Sequence, residues 1–180
     1  MRAILLIILL LSAPPLAAQD RDGHDTASDW VVDHYKPFGL WDSICDHRMT
    51  QGTREERCYL RYVEVFSPRP KFAAQFVFVT PGPEVEIGLE RGTLFPKGGL
   101  RVEHAGGVLW STDHILCRTG LSCTFQGAAA ATLLTAMEKG TTFAFDFRDR
   151  HGSRQSLRWD LTPFAKALED FRRESTRRNL

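Results

Sequence analysis

Cysteine and histidine are the side chains of this chain whose type and spacing could do chemistry. Cys45, Cys58, Cys117 and Cys123 read C-x12-C and C-x5-C. Neither spacing has the short C-x2-C turn of a zinc knuckle, and a thiol redox site would need a C-x-x-C pair. The six histidines (His24, His34, His47, His104, His114 and His151) are scattered. No two sit at i, i+2 on one expected strand or at i, i+4 on one expected helix. His24 with Asp25, and Cys45 with His47, come nearest to ligand pairs, but the first belongs to an expected tail and the second contains a cysteine expected to be oxidised. No metal and no cofactor are therefore expected. A hydrolase would take His114, beside Asp113, or His151 as its base, yet a triad is defined by geometry and not by sequence proximity. The chain carries no G-x-S-x-G elbow, H-E-x-x-H pair, Walker loop or dinucleotide fingerprint to support one.

The compartment explains the cysteines. Met1-Arg2 is followed by an unbroken apolar run over 3–11 and by Ser12-Ala-Pro-Pro-Leu-Ala-Ala18, the layout of a secretory signal peptide with cleavage expected after Ala18. The apolar run spans only about 14 Å as a helix, against about 30 Å of hydrocarbon, so no transmembrane anchor is expected. In an oxidising compartment the four cysteines are expected to form two disulfides. Three pairings are possible, of which the sequential one closes loops of 14 and 7 residues. Such loops would stabilise by roughly 3 and roughly 2 kcal/mol.

Charge and composition exclude further classes. Lys and Arg total 23 against 22 for Asp and Glu, which argues against nucleic-acid binding through bulk positive charge. Hydrophobic residues make up 43% of the chain, enough for a core and too many for a disordered protein. The length, 180 residues, suits one domain with tails.

The elements that would position these residues are mostly strands. Residues 19–37 read as an exposed, acidic lead-in, with Trp30-Val-Val docking onto the body. From Phe38 onward apolar residues alternate at period two. Leu60 and Tyr62 share a face. So do Val77 and Val79, with Phe76 and Phe78 opposite, on a strand over 72–80. Pro81-Gly82-Pro83 forces a turn before Val85, Ile87 and Leu89. Residues 100–104 and 108–110 flank Ala105-Gly106-Gly107 as one hairpin. Phe143, Phe145 and Phe147 face Leu157, Trp159 and Leu161 in a second, across Arg150-His151-Gly152-Ser153. Two helices interrupt this pattern. One covers 128–139 and stops at Gly140, as at a glycine C-cap. The other starts with Thr162 as N-cap and Pro163 at the first helical position, and buries Phe164, Ala167, Leu168 and Phe171. Residues 172–180 read as a basic, frayed tail, a solvated helix end whose Arg172, Arg173, Arg177 and Arg178 would otherwise suit anionic lipid. Pro68-Arg69-Pro70-Lys71 reads as an exposed connector. The expected fold is mostly β: a disulfide-stapled antiparallel β-sandwich or barrel with two short α-helices.

In order along the chain, four segments resemble the invasion-associated locus B family of exported bacterial proteins: Trp41-Asp-Ser-Ile-Cys45 with Cys58-Tyr-Leu60; Ile115-Leu-Cys117 with Cys123; Leu133-Leu-Thr-Ala-Met-Glu-Lys-Gly140 before the strand over 141–148; and Leu161-Thr-Pro-Phe164-Ala-Lys-Ala-Leu168. The resemblance covers residues 38–171 and departs from the family pattern at Ser122 and Pro163. It implies a mostly β envelope protein without recognised enzyme activity, with Cys58 partnering Cys45 and Cys123 pairing with Cys117. The expected function is a non-enzymatic binding or envelope protein, periplasmic or secreted. Its partner would be an envelope or host protein or lipid component. The alternatives are a small periplasmic hydrolase and a structural envelope factor without a discrete ligand. Peptide mass mapping without reduction is expected to recover Cys45 joined to Cys58 and Cys117 joined to Cys123; free thiols in the exported protein would contradict the staple reading and reopen metal binding.

Overall fold

Short, chirally suited turns set the registers. The computed structural model describes residues 29–65, 74–89, 91–120 and 123–180. The expected signal peptide, His24 and the Pro68–Lys71 connector lie outside them. In chain order the elements are β1 (Val31–Phe38), β2 (Trp41–Thr50), β3 (Thr53–Val65), β4 (Ala74–Thr80), β5 (Glu84–Gly88), β6 (Leu100–His104), β7 (Gly107–Ser111), α1 (Ile115–Arg118), β8 (Thr124–Gln126), α2 (Gly127–Lys139), β9 (Thr142–Arg148), β10 (Arg154–Asp160) and α3 (Phe164–Arg177). Gln51 and Gly52 both adopt positive φ, 52° and 81°, so β2 returns into β3 through the two-residue geometry that matches strand twist. Ala105 and Gly106, at 48° and 81°, do the same between β6 and β7.

The strands form two antiparallel sheets, a sandwich and not a closed barrel. One has six strands in the order β1-β2-β3-β4-β5-β8, the other four in the order β10-β9-β6-β7. Alternation puts Trp41, Leu60, Tyr62, Val77, Val79, Val85 and Ile87 on the inner face of the first, where all are buried. Leu100, Val102, Phe143, Phe145, Phe147 and Trp159 are buried on the second. Aromatic rings join the layers. Tyr62 stacks on Trp159 at 4.0 Å, and Trp41 meets Tyr62 and Phe164 edge-on at 5.2 and 4.8 Å. Buried indoles need partners. Trp41 Nε1 donates to the Asp160 carbonyl at 3.2 Å, and Trp159 Nε1 donates to the Glu64 carboxylate. Burial, reinforced by the charges of Glu64 and Asp160, pushes the Tyr62 phenol up to about 12.

Disulfides join Cys45 to Cys58, which face each other across β2 and β3, and Cys117 to Cys123, between α1 and β8. α2 supplies Leu133, Leu134 and Met137 to the core. It does stop at Gly140, but that residue has φ −75°, outside the left-handed region. Packing demands glycine there: a Cβ would lie 2.4 Å from Val102 Cγ1 and 3.1 Å from Leu161 Cδ1.

Three expectations are corrected. The last residues of the lead-in form β1, which pairs with β2 from Val31↔His47 to Phe38↔Trp41. Pro37 fits because β1 is an edge strand. Thr162 does not cap α3, since no side chain caps that end; Asp160 Oδ1 instead accepts the Thr162 backbone N–H at 2.8 Å, and Pro163 already has helical dihedrals. The 172–180 tail is not frayed. α3 runs to Arg177 and closes in a Schellman motif, with Asn179 at φ 59°, Asn179 N–H donating to the Thr176 carbonyl and Leu180 N–H to the Ser175 carbonyl, both at 3.1 Å. A third, one-turn helix, α1, had no expectation.

Ion pairs hold α3 against β1. Buried Asp170 accepts from His34 Nε2 at 2.8 Å, from Lys36 Nζ at 3.3 Å and from Arg173. Buried Glu174 binds Arg178 at 2.7 Å and Arg177 at 3.0 Å, and Arg172 reaches Glu138 at 3.0 Å. Arg172, Arg173, Arg177 and Arg178, expected on a solvated helix end, are thus each paired with a carboxylate. Burial alone would raise the Asp170 carboxyl, but its donors, led by His34, outweigh that and hold it at about 2. A depressed carboxylate contributes stability that is complete above the unfolded value of about 4 and disappears as pH falls towards the folded one. Asp170→Asn is accordingly expected to cost about 2 kcal/mol near neutral pH and to flatten the acid limb between about pH 4 and 2 in pH-dependent denaturation; an unchanged acid limb would contradict the clasp.

Candidate functional site

The outer face of the six-stranded sheet is built by the residues that alternate with the core positions of β2 and β3. Register sets Asp42 opposite Arg61, Ile44 opposite Tyr59, Asp46 opposite Arg57 and Arg48 opposite Glu55. Three of these four rows are ion pairs: Arg61–Asp42 at 3.1 Å, Arg48–Glu55 at 2.6 Å, and Arg57 in a two-pronged contact with Asp46 at 2.7 and 3.0 Å. Exposed pairs contribute little. Asp46 differs, being only 3% exposed on the outward face, so the Arg57 fork compensates its loss of solvent.

Aromatic rings cover this ladder. The Trp30 ring lies 3.7 Å from the Arg57 guanidinium and 4.7 Å from that of Arg48, so the chain preceding β1 does fold onto the body. Tyr59 flanks Arg57 from another direction at 5.5 Å, and its hydroxyl donates to Asp46 Oδ2 at 3.4 Å. Farther across the sheet Tyr59 approaches Phe78 at 5.8 Å, and Phe78 meets Phe76 at 5.1 Å. Phe76 sits directly over Gly88, the residue opposite it on β5, where a Cβ would fall 1.9 Å from the ring. Glycine there lets the ring lie flat on the sheet.

Tyr59, Phe78, Arg57 and Arg61 wall an open groove of about 610 Å³, completed by Pro81 and Leu180 and by the carboxylates of Glu56 and Glu86. On the other side of Arg61 a second depression of about 490 Å³ is bounded by Tyr35, Leu40, Asp42 and Val63. Tyr35, Leu40 and Val63 are 56%, 67% and 49% exposed, an apolar patch next to charge. Both tyrosines are kept protonated. Burial, then the Asp46 charge, raises the Tyr59 phenol, and the hydrogen bond to Asp42 at 3.0 Å raises that of Tyr35. Fixed aromatic faces, held guanidinium groups and phenols suit recognition of a partner, because such groups lose little conformational freedom on binding.

The histidines singled out for chemistry do not converge. His34 belongs to the α3 clasp, and His47 Nδ1 meets Asp33 Oδ2 at 2.7 Å. His114 precedes α1; its backbone N–H, not its ring, is held, by Thr112 at 3.1 Å. His151 lies in the β9–β10 turn, where its Nε2 accepts from Arg150 at 3.1 Å. The imidazole of neither candidate base is hydrogen-bonded to a serine hydroxyl or a carboxylate among the described residues. Cys45 is in a disulfide and unavailable beside His47, and among the described residues no three His, Cys, Asp or Glu side chains form a metal-holding group. The outward groove had escaped sequence reasoning, although the alternation of Asp42, Asp46 and Arg48 with core residues, mirrored by Glu55, Arg57 and Arg61, was a usable signal.

No family model matches the chain, and no curated protein matches it. Among solved structures it is similar to the crystal structure of invasion associated protein b from Bartonella henselae, at 16% identity and a TM-score of 0.46, over 80% of this chain and 98% of that one. The relation is a distant structural one. The sandwich described above stands on this chain's own strands, registers and disulfides. Among the described residues no helix is long and apolar enough to cross a membrane.

The dependence of Asp46 on Arg57 can be measured. Arg57→Ala is expected to cost about 1–3 kcal/mol in urea unfolding by leaving a buried carboxylate short of donors, and Arg57→Lys to restore only part, since an ammonium cannot fork or stack in the same way. Equal stability of all three proteins would contradict the arrangement.

Proposed function

We propose that this chain is a non-enzymatic, exported binding protein of the bacterial envelope, periplasmic or secreted, which docks a protein or lipid component of the envelope or of a host in the groove on the outer face of its six-stranded sheet. The observation that carries this reading is the concentration of Arg57, Tyr59, Arg61 and Phe78 on a rigid, outward-facing sheet, rimmed by Tyr35, Leu40 and Val63. Aromatic residues and arginine are the types that dominate binding hot spots, and apolar surface ringed by polar groups is typical of contact patches. Export is supported by the apolar leader ending at Ala18 and by two disulfides, which persist in oxidising compartments.

A crosslinking pull-down of the tagged mature protein from the envelope of its own bacterium tests the proposal, with Tyr59→Ala/Phe78→Ala run in parallel. One component recovered in stoichiometric amount, and reduced about tenfold or more in the double variant, is the expected outcome. Recovery that is the same for both proteins would place recognition elsewhere; no specific component from either would overturn the binding reading in favour of a structural envelope factor.

A further inference from the structure

The outer face of the four-stranded sheet has a different electrostatic character. Among the arginines carried on strands, Arg48, Arg54, Arg57, Arg61, Arg101 and Arg158 each reach a carboxylate. Arg148 and Arg154 reach none among the described residues, although they stand directly opposite each other in the row next to the β9–β10 turn. Like charges directly opposite across antiparallel strands are destabilising. The nearest carboxylate in sequence, Asp149, is committed to the turn: its Oδ1 accepts the backbone N–H groups of His151 and Ser153, both at 2.9 Å, and its Oδ2 accepts from Gln155 at 2.9 Å. Arg148 spends one nitrogen on the Gly152 carbonyl at 3.1 Å, which holds its guanidinium in place and leaves other N–H groups to donate.

The next row is acidic but neutralised. Asp146 is bound by Arg101 at 2.7 Å and Arg158 at 2.9 Å and accepts from Ser156 at 2.7 Å. Its carboxyl is held at about 2 despite burial, by those donors. Beside these two rows lies a depression of about 580 Å³, with Arg148 and Asp146 as its floor, Arg154 and Ser156 on one flank, and Leu94 and Pro96 on the other. Leu94 is fixed there by a two-way backbone bridge to Arg148, at 2.9 Å in each direction.

We propose that Arg148 and Arg154 form a phosphate-binding site at the turn end of the β9–β10 hairpin, taking a phosphate monoester presented by a lipid headgroup or free in solution. Two guanidinium groups projecting from facing strands can each present paired N–H donors to one tetrahedral dianion, and the bound charge removes their mutual repulsion. The wall that Leu94 and Pro96 present to the anion is uncharged.

The test compares the mature protein with Arg148→Gln/Arg154→Gln and with Lys139→Gln/Lys166→Gln, which removes the same charge from the exposed faces of α2 and α3. Each is melted with and without inorganic phosphate at constant ionic strength, and floated with phosphatidylcholine vesicles with and without phosphatidic acid. Phosphate raising the melting temperature of the parent and the lysine variant but not of the arginine variant supports the site with free phosphate as a ligand. Flotation with phosphatidic acid vesicles that falls about tenfold or more only in the arginine variant supports a headgroup as the source. Absence of both effects in the parent, or equal loss in the two variants, would overturn the proposal. Without phosphate the arginine variant is expected to melt no lower than the parent, which separates lost binding from lost folding.

Discussion

The register between β2 and β3 is the constraint on which everything else hangs. Side chains on a strand alternate with period two, so a slip of one residue would turn Trp41, Cys45, Leu60 and Tyr62 towards solvent and drive Asp42, Asp46, Arg57 and Arg61 into the core. Buried ion pairs repay their desolvation poorly, and the aromatic contacts between the sheets would be lost with them. Two local devices exclude the slip. The Gln51-Gly52 turn joins Thr50 directly to its partner row at Thr53, and the Cys45–Cys58 disulfide locks the register five rows further along. Covalent, steric and hydrophobic terms all select one pairing.

That single register feeds both surfaces of the sheet. Leu60 and Tyr62 carry β3 into the core, where Tyr62 stacks on Trp159 of the opposing sheet, while Arg57, Tyr59 and Arg61 from the same strand form the outward groove. The groove thus stands on the strand that carries the core beneath it. Ile44, on the same outward face, is only 3% exposed, and the Trp30 ring lies against the Arg57 guanidinium at 3.7 Å. On the inner side β1, an edge strand with mostly exposed side chains, is secured by hydrogen bonds to β2 and by the grip of His34 and Lys36 on Asp170 of α3.

The strands of the core were legible because their burial follows alternation, a signal local to each segment. Val85 and Ile87 and the three phenylalanines of β9 face inward as read, and Val77 and Val79 share one face as read, which is the inner one. Both long helices were found from their apolar spacing and glycine or proline boundaries. What escaped depended on distant partners. β1 reads as polar lead-in because its inward residues include His34 and Lys36, whose complement, Asp170, lies on the last helix. The end of α3 reads as solvated tail because burial of Glu174 follows from the folding back of Arg177 and Arg178 onto it. Gly140 was located correctly as a helix stop, but for a reason only packing reveals: Val102 and Leu161 occupy the space a side chain would need. The outward groove was missed because charged residues on strands read as generic solvent-facing positions until register shows which of them meet.

The central claim is that the outer face of the six-stranded sheet is the surface that engages a partner. Hydroxyl-radical footprinting read by mass spectrometry, on the purified protein and on the protein within its envelope fraction, tests it most directly. Tyr35, Tyr59 and Phe78 are expected to lose reactivity in the envelope, while the exposed Val108, Leu109 and Ile115 of the other sheet and of α1 remain as reactive as in the purified protein. Unchanged reactivity of the three aromatic residues, with protection appearing at Val108, Leu109 and Ile115 instead, would contradict the claim.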